Sequence, residues 1–278
     1  MFKQRVITSL ILIPLAIGGL FYLDSFWFTA VLAVVGGLTA WEWTNMMHIK
    51  SSAMRMLLGA IFTCVVIACA AIFTPIQTAM VNHLILSISI GWWVAVIGLV
   101  LTYPKSSMIW KQTHFLKSLF ILFILLPFIV GMVELKAMSP WWVMYVLCLV
   151  WISDTGAYLV GKKWGKHKLA PKVSPGKTWQ GFGGALFFSC LLPVGVLLFK
   201  PEFIPVTTLQ FFIISVITVI VSVFGDLAES MFKREAGVKD SSQLIPGHGG
   251  VFDRIDSLTA AVPIFFMLLQ FAINGFNA

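Results

Sequence analysis

Three aspartates near the end of the chain have residue types and spacing that suit a magnesium site. Asp226 follows a long apolar stretch, and Asp253 and Asp256 stand three residues apart just before the next one. Mg²⁺ usually takes one or two protein carboxylates and completes its shell with water and phosphate oxygens. The pattern predicts that two helix ends meet at this ion beside a phosphate-bearing substrate. Capping of the last helix by Asp256 or Ser257 is the alternative, and it would leave Asp253 unexplained.

Other polar residues of the same segment suit the binding of phosphate groups. Lys233, Arg234 and Arg254 are the predicted phosphate clamps, and Ser230 and Lys239 are predicted to contact substrate. On a helix, residues 226, 229, 230 and 233 would share one stripe.

A glycine-rich turn lies between these two groups. Gly247, Gly249 and Gly250 surround His248, and such a turn can direct backbone amides toward an anion. We predict that Gly249 and Gly250 bind substrate and that His248 belongs to the catalytic set.

A second polar segment, residues 161–184, holds six lysines and no acidic residue. One interpretation is a solvated loop that touches anionic lipid. The other is a site for several phosphates, with Ser174 and Lys177 as ligands. The letters GKT at 176–178 do not make a Walker A motif, because Pro171 stands where that motif needs glycine and no strand was expected before the loop.

Two further carboxylates fall within apolar stretches. Asp154 is predicted to contact substrate, whereas Glu42 could pair with a neighbour and hold helices together. No serine or cysteine has the partners of an activated nucleophile. A phosphate substrate would supply its own nucleophile, because a phosphomonoester is largely ionised at neutral pH.

Composition assigns these residues to a membrane protein. Of 278 residues, 59% are hydrophobic and 11% are charged, too few charges to cover a soluble domain. The apolar stretches approach 20 residues and do not alternate as barrel strands do. We predict an all-α polytopic protein with one transmembrane domain, 1–278. Residues 1–137 would pack and face lipid, and residues 138–278 would form the catalytic half.

Nine spans account for the distribution of charge. They are predicted at residues 6–23, 26–47, 56–73, 84–101, 118–133, 141–160, 181–199, 203–224 and 258–276. This count puts 17 of the 19 Lys and Arg residues on one side. The positive-inside rule then places the N-terminus and both polar loops in the cytoplasm, and the protein in the inner membrane. The net charge of +8 reflects this orientation and does not indicate nucleic acid. Trp41, Trp43, Trp141 and Trp142 are predicted at the membrane interfaces.

The segment from Ser230 to Asp256 resembles the signature of the phosphatidate cytidylyltransferases, also called CDP-diacylglycerol synthases. That pattern is Ser-x-x-Lys-Arg, then Lys-Asp, then His-Gly-Gly-x-x-Asp-Arg-x-Asp, and the chain matches it throughout. Residues 153–184 are similar to the family's other polar region. The resemblance implies transfer of the cytidylyl group of CTP to phosphatidate in a membrane. It also implies Mg²⁺, a second, monovalent cation such as K⁺, and a homodimer.

Two other classes of protein are alternatives. An ion-coupled transporter could use Asp154, Glu42 and Asp226 as a relay, although the acids crowd one membrane face and no repeat is found. A lipid kinase or another CTP-using phosphotransferase would share the phosphate chemistry. The sequence leaves open which loop holds which substrate and which residues read cytosine.

Overall fold

A computed structural model shows a helical bundle with one small β-hairpin, and it describes residues 2–72, 75–111, 113–199, 202, 204–245, 247 and 249–275. The helices are α1 (Phe2–Tyr22), α2 (Ser25–Met46), α3 (Ser52–Ile72), α4 (Pro75–Thr102), α5 (Ser107–Trp110), α6 (His114–Met138), α7 (Pro140–Trp164), α8 (Trp179–Phe199), α9 (Thr208–Glu235) and α10 (Phe252–Asn274). Strands β1 (Lys168–Ala170) and β2 (Ser174–Thr178) pair antiparallel between α7 and α8.

The membrane class follows from the length and composition of the helices. Within the described residues, eight helices are long and apolar enough to cross a membrane, namely α2, α3, α4, α6, α7, α8, α9 and α10. Helix α1 adds a shorter apolar stretch, Leu10–Tyr22. The predicted all-α polytopic class is confirmed, and the count of nine spans stays a prediction.

Two predicted boundaries near the polar segments were wrong. Helix α9 continues to Glu235 rather than ending at residue 224, and α10 begins at Phe252 rather than at 258. The apolar pattern stops where charge begins, but the backbone hydrogen bonds of a helix do not depend on apolar side chains. A pair four residues apart, Glu229 with Lys233, supports the last turns of α9.

The ends of α2, α6 and α9 and the segments after α4 and α7 contact one another at one end of the bundle. Trp43 Nε1 donates to the Lys117 carbonyl at 2.8 Å, and Arg234 Nε donates to the Val173 carbonyl at 3.2 Å. The Tyr103 hydroxyl reaches Glu235 at 3.5 Å. These segments include the loops for which the sequence predicts a cytoplasmic location, so we call this end the polar end.

The opposite end is joined by a separate set of contacts. Asn82 donates to Glu134 at 2.6 Å, Lys136 donates to the Leu23 carbonyl, and the rings of Phe21 and Trp141 lie 4.9 Å apart. Trp43 and Trp142 are buried in the core, and their predicted depth at the membrane interfaces stays a prediction. Their indoles pack against rings of neighbouring helices, Trp43 against Phe232 and Trp142 against Phe265.

Helices α9 and α10 pack unusually closely below the polar end. A Cβ atom on Gly225 would lie 2.6 Å from the Asp256 carbonyl oxygen, so the residue at this crossing must lack a side chain. The close approach brings the segment that starts at Asp226 against the first turns of α10.

Helices α7 and α8 also meet through small residues. A Cβ atom on Gly156 would lie 2.8 Å from the Gly184 carbonyl oxygen, and one on Gly184 would lie 2.5 Å from Val160. Such small-residue contacts let membrane helices approach closely. The hairpin between the two helices is tied to α8, because Gln180 Oε1 accepts from the amides of Lys166 and His167, each at 3.1 Å.

Candidate active site

The facing ends of α9 and α10 bring together polar side chains from two segments of the chain. Helix α9 presents Asp226, Glu229 and Lys233, whose spacings of three, four and seven put them on one face. Helix α10 presents Asp253 and Asp256 from its first two turns. The two segments meet as predicted, but Asp226 lies inside α9, which continues to Glu235, and not at the end of a helix.

Lys233 joins the two helices through a buried pair of salt bridges. Its Nζ lies 2.7 Å from Glu229 Oε2 and 2.6 Å from Asp253 Oδ1. The three side chains are 12%, 2% and 7% exposed. Removing one partner of such a buried set leaves a charge without compensation. Lys233, predicted to clamp phosphate, is therefore held between two protein carboxylates here.

The second oxygen of Asp253 organises the loop before α10. Asp253 Oδ2 accepts from the Gly250 amide at 2.7 Å, and from the Ser241 amide and hydroxyl at 3.0 and 2.9 Å. Val251 is the N-cap residue of α10, and its side chain makes no capping bond. The capping role considered for Asp256 and Ser257 was therefore wrong, since both lie inside the helix.

Glu42 of α2 reaches the same loop from the first half of the chain. Its Oε1 accepts from the Ser242 hydroxyl at 2.7 Å and the Val251 amide at 2.8 Å. Its Oε2 accepts from the Ser241 hydroxyl at 3.0 Å and the Phe252 amide at 2.8 Å. The predicted pairing of Glu42 with neighbours is what the structure has, and its neighbours are hydroxyls and helix-terminal amides.

The glycine-rich turn has the predicted anion-binding geometry, but protein carboxylates fill part of it. Gly247 and Gly249 adopt positive φ angles of 77° and 84°, which glycine tolerates best. The amides of residues 250–252 already bind Asp253 and Glu42. Contact of Gly249 and Gly250 with substrate stays a prediction, and His248 lies outside the described residues.

The basic hairpin approaches α9 through one lysine. Lys177 Nζ lies 2.8 Å from Asp226 Oδ2, with side chains 25% and 31% exposed. Ser230 donates to the other oxygen, Oδ1, at 3.3 Å. Lys177 therefore belongs to the site, whereas Ser174 is half-buried in β2 with its backbone paired to Ala170.

Two predicted phosphate ligands lie at the edge of this arrangement. Arg234 is exposed and donates to the Val173 carbonyl, so it ties α9 to the hairpin. Lys239 is exposed in the loop after α9. Their contact with phosphate stays a prediction.

The balance of charge around Asp256 is acidic. Asp154 of α7 lies within electrostatic range of Asp226, Lys177 and Arg254, and Asp256 lies next to Glu229. Glu229 Oε1 is buried and has no hydrogen-bond donor among the described residues. The cluster contains five carboxylates and three basic side chains, namely Asp154, Asp226, Glu229, Asp253 and Asp256 with Lys177, Lys233 and Arg254.

Comparisons with known proteins decide the family. A sequence model described as the cytidylyltransferase family matches residues 3–272. The chain belongs to this family. It is 40% identical to a phosphatidate cytidylyltransferase of Haemophilus influenzae, over 98% of this chain and all of the relative. It is 42% identical to a phosphatidate cytidylyltransferase of Pseudomonas aeruginosa, over 97% of each chain.

Two residues of this cluster, Glu42 and Glu229, were not predicted as catalytic, substrate-binding or metal-binding residues. Glu229 was expected only as part of the α9 stripe, and Glu42 only as a carboxylate with a neighbour. A buried acidic residue in an apolar helix is itself a signal of function. The partner of Glu42 lies about 200 residues away, at Ser241 and Phe252, and one sequence does not reveal that pairing.

Proposed function

We propose that this protein transfers the cytidylyl group of CTP to phosphatidate, giving CDP-diacylglycerol and pyrophosphate for phospholipid synthesis. The observation that carries the proposal is the convergence of α9, α10 and the basic hairpin, with the family's signature residues, at one end of a membrane-spanning bundle. A water-soluble nucleotide and a lipid phosphate can meet only at such an edge.

The residues of the cluster fit a divalent cation. Within the described part of the chain, no group of three or more His, Cys, Asp or Glu side chains forms a ready metal cage. Mg²⁺ does not need one, since water and substrate phosphates complete its shell. The buried donor-free oxygen of Glu229 and the excess of carboxylates favour a cation beside Asp226 and Asp256. Asp253 belongs to the predicted ligand set as well, although both its oxygens accept hydrogen bonds here.

The chemistry of the residues supports direct attack by the lipid phosphate on the α-phosphorus of CTP. A bound Mg²⁺ would screen phosphate charge and stabilise the leaving pyrophosphate. Lys177 now binds Asp226. If its Nζ bound a phosphate group instead, Lys177 would hold the nucleotide. Lys233 orients Glu229 and Asp253 through its two short salt bridges. Arg254 is exposed on α10 and free to face incoming phosphate charge.

Location and assembly complete the proposal. We infer that the polar end faces the cytoplasm and that the protein lies in the inner membrane, on the strength of the charge distribution. A homodimer and a second, monovalent cation such as K⁺ rest on the family resemblance alone.

An assay with phosphatidate and labelled CTP in detergent tests the function. The proposed enzyme releases pyrophosphate and forms labelled CDP-diacylglycerol. A lipid kinase would release a nucleoside diphosphate instead, and an ion-coupled transporter would give neither product.

The same assay across a Mg²⁺ titration tests the cation site. Asp226→Asn and Asp256→Asn remove a charge that Mg²⁺ requires, and each should lower turnover at least 100-fold, an order-of-magnitude expectation for residues acting as a unit. Asp24→Asn is the control, because Asp24 caps α2 at the other end and asparagine caps equally well. Parental turnover with unchanged Mg²⁺ dependence in Asp256→Asn would remove this carboxylate from the site.

A further inference from the structure

Glu42 lies where the first half of the chain meets the candidate active site. The side chain is fully buried near the end of α2, and four donors surround its carboxylate at 2.7–3.0 Å. Two of those donors are hydroxyls of Ser241 and Ser242, and two are the amides of Val251 and Phe252.

The two amides belong to the N-terminus of α10. The first amides of a helix have no partner within it, and they carry the positive end of its dipole. The N-cap residue, Val251, has no side-chain acceptor to offer. Glu42 therefore supplies from α2 the cap that the local sequence of α10 lacks.

The hydroxyl of Ser241 connects this cap to the site. Ser241 Oγ lies 3.0 Å from Glu42 Oε2 and 2.9 Å from Asp253 Oδ2. A hydroxyl has a single proton, so it donates to one carboxylate at a time. Asp253 in turn binds Lys233 at 2.6 Å. Glu42 is thus two contacts away from Asp253 and three from the α9 lysine.

The packing around Glu42 is close at residue 250. A Cβ atom on Gly250 would overlap Ser241 Oγ and Glu42 Oε1. Glycine at this position lets the backbone approach the buried carboxylate, which gives this part of the signature a structural reason.

We propose that Glu42 is a positioning residue of the reaction. It holds Ser241, Ser242 and the start of α10 in one place, so that Asp253 and Asp256 meet the side chains of α9. The first half of the chain then contributes directly to the geometry of the site. This inference rests on the proposed function.

Glu42→Gln is the main test. The amide keeps the size of the side chain but offers one acceptor oxygen, and its NH₂ group would face two of the present donors. A displacement of about 1 Å at a reaction centre can cost on the order of 100-fold in rate. We expect kcat for CDP-diacylglycerol formation to fall by roughly 10- to 100-fold, with KM for CTP changed less than about threefold.

Thr39→Val is the matched control. Thr39 is also fully buried in α2, and its hydroxyl donates within its own helix, to the Val35 carbonyl at 2.8 Å. This variant should keep parental kcat and KM. Glu42→Asp, which keeps both acceptor oxygens but is shorter, should retain more activity than Glu42→Gln.

Ser242→Ala provides a milder variant should Glu42→Gln not be recovered folded. It removes one donor to Glu42 Oε1 from a half-buried side chain, and we expect kcat to fall by about threefold or more while the protein remains folded at the assay temperature. Parental kcat in a folded Glu42→Gln, or in Ser242→Ala, would overturn the inference. Absence of product from the parent protein would instead contradict the proposed function, so the two failures are distinguishable.

Discussion

At the scale of the residue, Lys177 forms the salt bridge between the basic hairpin and the acidic face of α9. Its salt bridge to Asp226 is short and only partly exposed, so solvent screens it less than a surface pair. The sequence alone does not show which of the six lysines of residues 161–184 contacts the acidic helices. The structure shows that Lys177 does so, because β2 places this residue beside α9.

Substitution of Lys177 tests whether the hairpin binds phosphate. Lys177→Gln should lower kcat/KM by roughly 10- to 100-fold, because a hydrogen bond to a charged group contributes about 1.5–3 kcal/mol. Lys172→Gln is the control, since Lys172 is exposed in the turn of the same hairpin. Equal losses in steady-state kinetics from both variants would favour the solvated, lipid-touching interpretation of the segment.

Residue roles were only partly predictable from the sequence. Charge and spacing predicted that Asp226, Asp253 and Asp256 would lie on facing helices, because helical periodicity fixes which side chains share a face. The partners of those side chains were not predictable. Whether Lys233 faces a substrate or two carboxylates depends on the packing of α9 against α10.

At the scale of the element, the crossing of α7 and α8 positions the hairpin and therefore Lys177. Its contact surface consists of small residues, and Gly183 and Gly184 provide an internal comparison. A Cβ atom on Gly184 would overlap Val160 and Gly156, whereas one on Gly183 meets nothing within 4 Å.

Substitution of Gly183 and of Gly184 by alanine should change Tm differently. Gly184→Ala should destabilise the protein by about 1–3 kcal/mol through overpacking, which corresponds to a fall in Tm of roughly 2–10 °C. Gly183→Ala should leave Tm unchanged or slightly higher, because alanine favours helix. Thermal unfolding in detergent measures both, and an equal fall in the two variants would mean that this crossing is not tightly packed.

The elements themselves were largely predictable, since a membrane-spanning helix is specified by local hydropathy. The polar ends of α9 and α10 were not predictable from hydropathy. Their helical turns are stabilised by pairs such as Glu229 with Lys233 and by acceptors from other helices, and hydropathy reports neither of these interactions.

At the scale of the whole molecule, the bundle has two ends with different composition. The polar end gathers the hairpin and the loops after α2, α4 and α9, and the other end is held by a few contacts such as Asn82 with Glu134. The proposal that the polar end faces the cytoplasm rests on the predicted excess of Lys and Arg on that side.

Single cysteines test this orientation in intact cells and in inverted vesicles. In a background without Cys64, Cys69, Cys148 and Cys190, cysteines at Gly176 and Gln243 should react with an impermeant thiol reagent only from the cytoplasmic side. Cysteines at Ser25 and Asn274, exposed at the other end, should react only from outside. Labelling of all four from one side would contradict the nine-span topology.

The hydrogen bonds of Glu42 to Ser241, Ser242, Val251 and Phe252 have a consequence for biogenesis. Their donors lie about 200 positions later in the chain. At a translation rate of about 5–20 residues per second, α2 leaves the ribosome roughly 10–40 s before those donors are made. During this interval the nascent chain contains a carboxylate in a membrane helix without its final partners, which is costly in lipid. Insertion of α10 then brings the hydrogen-bond donors that this carboxylate lacked earlier in synthesis.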